Sequence, residues 1–308
     1  MYSIGSRMGA GLAAAAVSLG VTQLAAVLFP PAADARTAVG TSVINLTPGP
    51  VKEWAIQTFG TSDKTFLTIM VVVVVMALLA VAAVWERSRI PLGSLAVAAS
   101  GLAGSAAVLS QPGARLVDIV PTVIGALCGI AVMRTLTAHK DGQATAGADS
   151  GRRHSLVTLG LLAAGALGGV GGTLLTRQRR SVAGDRDAFS LPTVASPAPP
   201  VPPEVQPAAD GLPSFITSNA DFYRIDTTLS VPQISRADWK LRIHGMVDKE
   251  ITYTLDDLKQ FELLERAVTL TCVSNPVGGN LISNAMWTGY RVRDLLKGSG
   301  IHKDADMV

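Results

Sequence analysis

Cys272 is the side chain with the clearest chemical potential in this sequence. It closes the apolar-polar alternation from Ala267, in which Val268, Leu270 and Cys272 share one face, and Val273-Ser274-Asn275-Pro276-Val277-Gly278-Gly279-Asn280 follows at once. Proline and glycine forbid further regular pairing there, so the thiol sits where a strand gives way to a loop. A thiolate is a soft ligand suited to a metal that cycles between oxidation states, and coordination deprotonates it. A single Cys ending an apolar strand is more often ordinary core packing. Spacing alone leaves both roles open. His244 and His302 have no companion ligands at metal-binding spacing and read as structural or solvated.

The elements that must position this thiol can be read from the same stretch. Asp221-Phe222-Tyr223-Arg224-Ile225-Asp226 opens a globular region, and Trp239 to Gly245 alternates as a half-buried strand does. Thr254-Leu255-Asp256-Asp257-Leu258 starts a short helix, with Thr254 as N-cap and Asp257 completing a cap-like pair. Gly278 and Gly279 fit either a plain turn or a close approach of backbone to a bound group. Trp287 reads first as a core anchor.

The ordered set resembles the sulfite-oxidase-type molybdopterin oxidoreductase family. It comprises the opening from Asn219 to Asp226, the Trp239-x-Leu-x-Ile-x-Gly strand, the Thr254-Leu helix, the Cys that closes a strand, and Trp287-Thr288-Gly289-Tyr290-Arg291-Val292. The resemblance covers about residues 211–308, and membrane-anchored bacterial members share the layout of spans, linker and domain. It implies an α+β molybdopterin-binding domain in which Cys272 is catalytic and ligates molybdenum, the other positions being filled by the dithiolene of one pterin and by oxo groups. It also implies that Asn219, Tyr223 and Arg224 meet the pterin, through main chain as much as side chain. The cofactor supplies the oxygen-atom chemistry and the protein supplies orientation and electrostatics. Eukaryotic sulfite oxidases place an arginine shortly after the ligand Cys, whereas no cation follows Cys272 closely here. Sulfite is therefore unsupported, and a neutral oxo donor or acceptor such as a sulfoxide is compatible. Relatives continue well past the Trp-x-Gly element, so the resemblance implies a domain incomplete at Val308 and no turnover from these 308 residues alone.

The remaining two thirds of the sequence has another character. Only 16% of the 308 residues are charged, against 48% hydrophobic, well below the roughly 25% charge of a soluble domain. Apolar stretches run over Met8 to Phe29, Phe66 to Trp85, Ile90 to Ser110, Ile119 to Met133 and Ser155 to Thr176, each near the ~20 residues that a bilayer requires. We read a multi-pass region of five transmembrane helices over 1–180, a Pro-rich linker over 181–213 and the α+β domain over 214–308. Eight prolines between Leu191 and Pro213 predict a semi-rigid spacer that holds the domain clear of the bilayer. The first span has two readings: a retained helix, favoured by its length, or a signal peptide cleaved near Ala33-Asp34-Ala35. Gly165, Gly168, Gly169 and Gly172 form two small-xxx-small pairs that allow close helix packing. Val51 to Phe59, inside the loop from Thr47 to Lys64, is either an interfacial segment or plain loop.

Orientation is balanced by charge counting. With the N-terminus inside, Arg7, Arg87, Arg89, Arg134, Lys140, Arg152 and Arg153 are cytoplasmic and Arg36, Lys52, Lys64 and Arg115 are not, but Arg177, Arg179 and Arg180 oppose this. Ser150-Gly151-Arg152-Arg153-His154-Ser155-Leu156 resembles a twin-arginine export signal, which moves folded proteins. A plain positive-inside anchor is the other reading. An export signal agrees with a cofactor inserted before translocation, and it puts the C-terminal domain outside the cytoplasm.

Several function classes recede. His139, His154, His244 and His302 fall outside the five apolar runs, so no haem is expected in the spans. Asp118 is the only ionisable residue near bilayer depth, which speaks against a solute carrier. The excess of basic residues lies in residues 1–210, which carry 15 Lys and Arg against 11 Asp and Glu. They flank apolar runs and form no aromatic-interleaved groove for nucleic acid. The expected partners are bilayer lipid, a small oxo donor or acceptor, and a separate electron-transfer protein or quinone. The competing class is a non-catalytic membrane scaffold with a cofactor-free binding domain.

Overall fold

The computed structural model describes residues 3–87, 90–138, 148–206, 208, 211–225, 229 and 231–307. Arg89, His139, Lys140, Asp226 and Val308 lie outside the described residues. The chain divides into two units, Met1–Arg180 with Thr228–Ser230, and Ser181–Thr227 with Val231–Val308.

The first unit is helical. Its elements are α1 (Ile4–Ala26), α2 (Ala35–Leu46), α3 (Gly49–Phe59), α4 (Asp63–Val84), α5 (Leu92–Leu109), α6 (Val120–Thr137) and α7 (Ala148–Arg180). Five helices are long and apolar enough to cross a membrane, in the five stretches expected from hydropathy. Helix α1 packs against α4, α6 and α7, and Ala13 to Ala16 are buried there. Small residues set this packing. A Cβ on Gly165 would collide with the Ala16 and Val17 backbone, and one on Gly20 with the backbone of Gly165, so α1 and α7 touch main chain to main chain. The small-residue spacing in α7 is thus spent on α1 inside the same chain.

Three details differ from the sequence reading. Between the first two spans lie two helices: α2, which the sequence reading did not include, and α3, so that of the two readings for Val51 to Phe59 the plain loop does not hold. Asp34 starts α2 by accepting the Arg36 and Thr37 amides at 3.2 and 3.3 Å, a local cap that a search for ~20-residue apolar runs does not register. Helix α7 begins at Ala148, which puts Arg152, Arg153 and His154 on the helix rather than ahead of it. Besides Asp118, two acids beside helix ends are buried, Asp34 before α2 and Glu86 just after α4; Glu86 accepts the Ser94 amide of α5 at 2.9 Å and its hydroxyl at 2.6 Å. Asp118 itself is 1% exposed. Its Oδ2 accepts the Arg115 amide at 2.8 Å, while Oδ1 has no hydrogen-bond partner among the described residues.

The second unit is α+β. After the short α8 (Ala183–Asp187) come two antiparallel pairs, β1 (Lys240–Ile243) with β2 (Ile251–Thr254) and β3 (Leu264–Thr271) with β4 (Ile282–Gly289), then α9 (Val292–Leu296). Its core gathers Tyr253, Leu258 and Leu295, with Trp239, Ile243 and Phe261 packed around them. The Tyr253 hydroxyl donates to the Leu295 carbonyl at 3.0 Å. Thr254 and Asp257 pair as expected, Asp257 Oδ2 accepting the Thr254 amide at 2.8 Å and hydroxyl at 2.7 Å and the Asp257 amide returning to Thr254 Oγ1 at 3.3 Å. Thr254 is nevertheless not a helix N-cap: it ends β2, and the short helix is a single 3-10 turn, Asp257–Gln260, whose N-cap is Asp256.

The Pro-rich segment does not stand clear of this unit. The Ala195 amide donates to the Leu263 carbonyl at 2.9 Å and the Glu265 amide to the Ser196 carbonyl at 2.9 Å, so residues 195–196 line the outer edge of β3. Ala195 and Ser196 lie between Pro192 and Pro197, and their amides, both donated to the Leu263 carbonyl, supply the edge pairing that prolines cannot; the Ala198 amide donates instead to the Glu265 side chain at 3.3 Å. Farther upstream, Arg236 holds Asp185 through its amide and its Nε, both at 2.7 Å.

Candidate functional site

The β3/β4 hairpin positions Cys272. The ladder runs from Leu264 opposite Gly289 to Thr271 opposite Ile282, and the Cys272 amide extends it by donating to the Leu281 carbonyl at 2.8 Å. The thiol is free and half-buried. Beyond it the loop is closed by Asn275. The Asn275 amide donates to the Cys272 carbonyl at 2.9 Å, and Asn275 Oδ1 accepts the Leu281 amide at 2.8 Å. A Cβ on Gly279 would come within 2.6 Å of Asn275 Oδ1, and Gly278 has φ +75°. Both glycines are therefore required by the turn itself. The tip is solvent-facing, with Val273 at 101% and Val277 at 108% exposure.

Strand alternation places Arg266, Val268 and Leu270 on the face of Cys272, with Trp287, Ala285 and Ser283 opposite them in that order on β4. Val268, Leu270 and Trp287 are all exposed, so Trp287 is not the core anchor that its size suggests. Its ring instead meets Phe222 edge-on, centroids 5.7 Å apart. Phe222 stacks on Tyr223 at 5.1 Å.

The segment expected to meet a pterin is thereby tied to this hairpin. The Thr217 amide donates to the Asn284 carbonyl at 2.8 Å, and Asn284 Nδ2 donates to the Phe215 carbonyl at 2.9 Å. Thr269 Oγ1 in turn donates to Asn284 Oδ1 at 2.6 Å. Asn219 and Arg224 are exposed and Tyr223 is half-buried. Trp287 stands opposite Arg266, six residues along β3 from Cys272, or roughly 20 Å at the rise of a strand. The structure thus attaches the Tyr223 segment to the hairpin near the end remote from the thiol.

Sequence reasoning missed Asn275 and Asn284. Asn-Pro before Gly-Gly signals a turn but not which amide the side chain caps, and Asn284 acts through partners 15 and 69 residues away. His244 is exposed, and His302 Nε2 lies 3.2 Å from Asp248 Oδ1. A cavity of about 550 Å³ in this unit, lined by Phe189, Arg236, Leu255, Lys259 and Tyr290 among others, also touches Leu263, Thr288 and Gly289. Those last three residues mark the hairpin end opposite Cys272, so this cavity is separate from the thiol.

With the geometry in view, the comparisons decide the type of domain. Residues 228–308 match the family model of the oxidoreductase molybdopterin binding domain. The C-terminal segment is of the sulfite-oxidase-type molybdopterin-binding kind. It is similar to nitrate reductase [NADH] of Spinacia oleracea, 31% identical over 86 residues, covering 23% of this chain and 9% of that protein. It is also similar to nitrate reductase [NADH] of Volvox carteri, 33% identical over 86 residues, covering 23% of this chain and 10% of that protein. The chain thus spans about a tenth of the length of these relatives. No solved structure matches it significantly.

The donor set fits a molybdenum-molybdopterin cofactor. Among the described residues no three His, Cys, Asp or Glu side chains gather as a metal site, so a bare ion has no cage here. A metal that brings a dithiolene and oxo groups of its own asks the protein for one soft sulfur. Cys272 offers that sulfur on an open apolar face.

Proposed function

We propose that this chain belongs to a membrane-anchored, molybdenum-dependent oxidoreductase in which Cys272 ligates the metal. The carrying observation is the position of that thiol: free, half-buried and at the end of a hairpin inside the matched segment. When bound, the cofactor supplies oxygen-atom transfer coupled to two electrons. Nitrate reduction, the activity in the names of the relatives, belongs to that reaction class, since nitrate loses one oxygen and accepts two electrons.

The chain's own residues orient and shield. Asn275 fixes the loop backbone on both sides of the thiol, so the sulfur presents one direction to a metal. Val268, Leu270 and Trp287 offer an apolar floor for a flat heteroaromatic group, and Asn284 holds the Phe215–Thr217 segment along the hairpin edge. Asn219, Tyr223 and Arg224 are assigned to the pterin, and an uncharged oxo donor or acceptor such as a sulfoxide suits a loop without a nearby cation.

In this reading the five apolar helices cross the bilayer and α1 is retained, which its place at the centre of the bundle favours. Arg152 and Arg153, directly before the apolar run of α7, serve as an export signal for a cofactor-loaded domain, which then stands on the extracytoplasmic side. Electrons pass to a separate protein or to quinone.

The test is molybdenum content in the complete protein, purified from membranes, for wild type and Cys272→Ser. We expect about one metal per wild-type chain and loss of it in the variant, with near-ultraviolet dichroism unchanged. Equal metal in both would refute the ligand assignment. Absence of pterin from the wild type would leave the scaffold reading in its place.

A further inference from the structure

We propose that helix α3 lies in the plane of the membrane interface and binds the boundary between lipid headgroups and acyl chains. The inference rests on the reading that α4 crosses the bilayer. Helix α4 has 22 residues, or about 33 Å at the rise of an α-helix. It carries exposed aromatic side chains at both ends, Phe66 and Trp85. The two are separated by about 28 Å along the axis, close to the ~30 Å hydrocarbon thickness of a bilayer. Aromatic side chains concentrate at the two membrane–water boundaries, so these two rings mark where the boundaries fall.

Helix α3 is joined to one of those marks. Phe59, its last residue, stacks on Phe66 with centroids 4.1 Å apart and a tilt of 14°, and Trp54 meets Phe59 edge-on at 5.8 Å. The three rings make a continuous aromatic patch at the level where α4 leaves the hydrocarbon. On the helical wheel Trp54, Thr58, Val51, Ala55 and Phe59 occupy one arc of about 140°, and Glu53 lies on the opposite side. Within that arc Val51 and Trp54 are exposed, Trp54 at 57%, while exposed Ile56 lies outside it. An 11-residue helix is too short to span, yet it presents its largest apolar side chains outward at interfacial height. Lipid satisfies that arrangement. Lys52 and Glu53 cancel, so the attraction is apolar and does not require anionic headgroups.

The test uses the full chain reconstituted in phosphatidylcholine vesicles containing lipids brominated either near the headgroup or near the chain ends. Subtracting the emission of Trp54→Phe from that of wild type isolates Trp54, a surface position where the change is tolerated; Trp85→Phe isolates Trp85 in the same way. We expect Trp54 emission to be lost more to the shallow bromine than to the deep one, to resist aqueous iodide, and to be unchanged when part of the phosphatidylcholine is replaced by phosphatidylglycerol. Quenching by iodide with no effect of bromolipid would place α3 in water and overturn the proposal. Protection from both quenchers would mean that protein covers the helix, and would also overturn it, as would quenching that appears only with anionic lipid. If Trp85 is quenched by bromolipid and Trp54 is not, only this inference falls. If neither responds, the crossing of α4 falls with it.

Discussion

The helical unit and the C-terminal unit solve the burial problem in opposite ways. In the first, α1 is buried by close contact through glycine and alanine, with only a few large side chains such as Leu79, Val97 and Met133 turned in beside it, while many others on α4 to α7 are exposed. In the second, large side chains around Tyr253, Leu258 and Leu295 turn inward over one β-pair, while the other β-pair keeps an exposed apolar face beside Cys272. The comparison separates two meanings of an exposed hydrophobe. Spread around a bundle, it suits lipid; gathered on one sheet face beside a soft ligand, it suits a cofactor.

The largest expected effect breaks the first half of the comparison. Gly165→Leu drives a branched side chain into the α1 backbone, and overpacking of this kind costs about 3 kcal/mol. Thermal unfolding in detergent should show the helical transition lowered by many degrees, with the tryptophan dichroism of the C-terminal unit unmoved. An unchanged helical transition would mean that α1 and α7 do not meet through backbone. Next comes the small core of the second unit. Tyr253→Phe leaves the Leu295 carbonyl without its donor and should cost about 1 to 3 kcal/mol, read as a lower urea midpoint of that unit alone.

How legible each unit was follows from the range of the interactions that build it. The five apolar helices are visible because each is written in about twenty consecutive residues, and the Thr254–Asp257 hydrogen-bonded pair is visible because its partners are three apart, although the helix it reads as capping has its N-cap at Asp256. Strand β2 is not legible: Ile251–Thr254 alternates over only four residues, the lower limit for a strand, and its last residue, Thr254, reads instead as a helix cap, whereas β1 lies inside a longer alternation from Trp239 to Gly245. Cys272 at a strand end was legible, whereas the open face around it was not, because that face depends on the register of β3 against β4. The edge pairing of Ser196 with Leu264, 68 positions apart in the chain, is written in no local pattern. Proline content there signalled a spacer, and the amides between the prolines made it an edge.

A smaller effect sharpens the second half of the comparison. Asn275→Ala removes the acceptor for the Leu281 amide, worth about 1 kcal/mol. Hydrogen exchange at Leu281 should accelerate about five-fold while Tyr253 in the core keeps its protection. If core and loop loosen together, the Cys272 loop is not a separately held device. The smallest effect concerns pH. The hydroxyl and the amide of Thr254 both donate to Asp257 and hold its carboxyl below the ordinary range. A depressed carboxylate stabilises the fold above the pKa it has when unfolded, and that contribution fades as pH falls through the folded value. Carbon-detected titration should show the Asp257 midpoint low in wild type and part-way restored in Thr254→Val, which keeps the amide donor and loses the hydroxyl. Glu250 is held low from a different source, the side chain of Arg242 at 2.8 Å, so its midpoint should rise with added salt. Asp257 should respond much less, because both of its donors are neutral. An Asp257 midpoint as salt-sensitive as that of Glu250 would show that charge, rather than the hydrogen bonds from Thr254 three residues away, sets its ionisation.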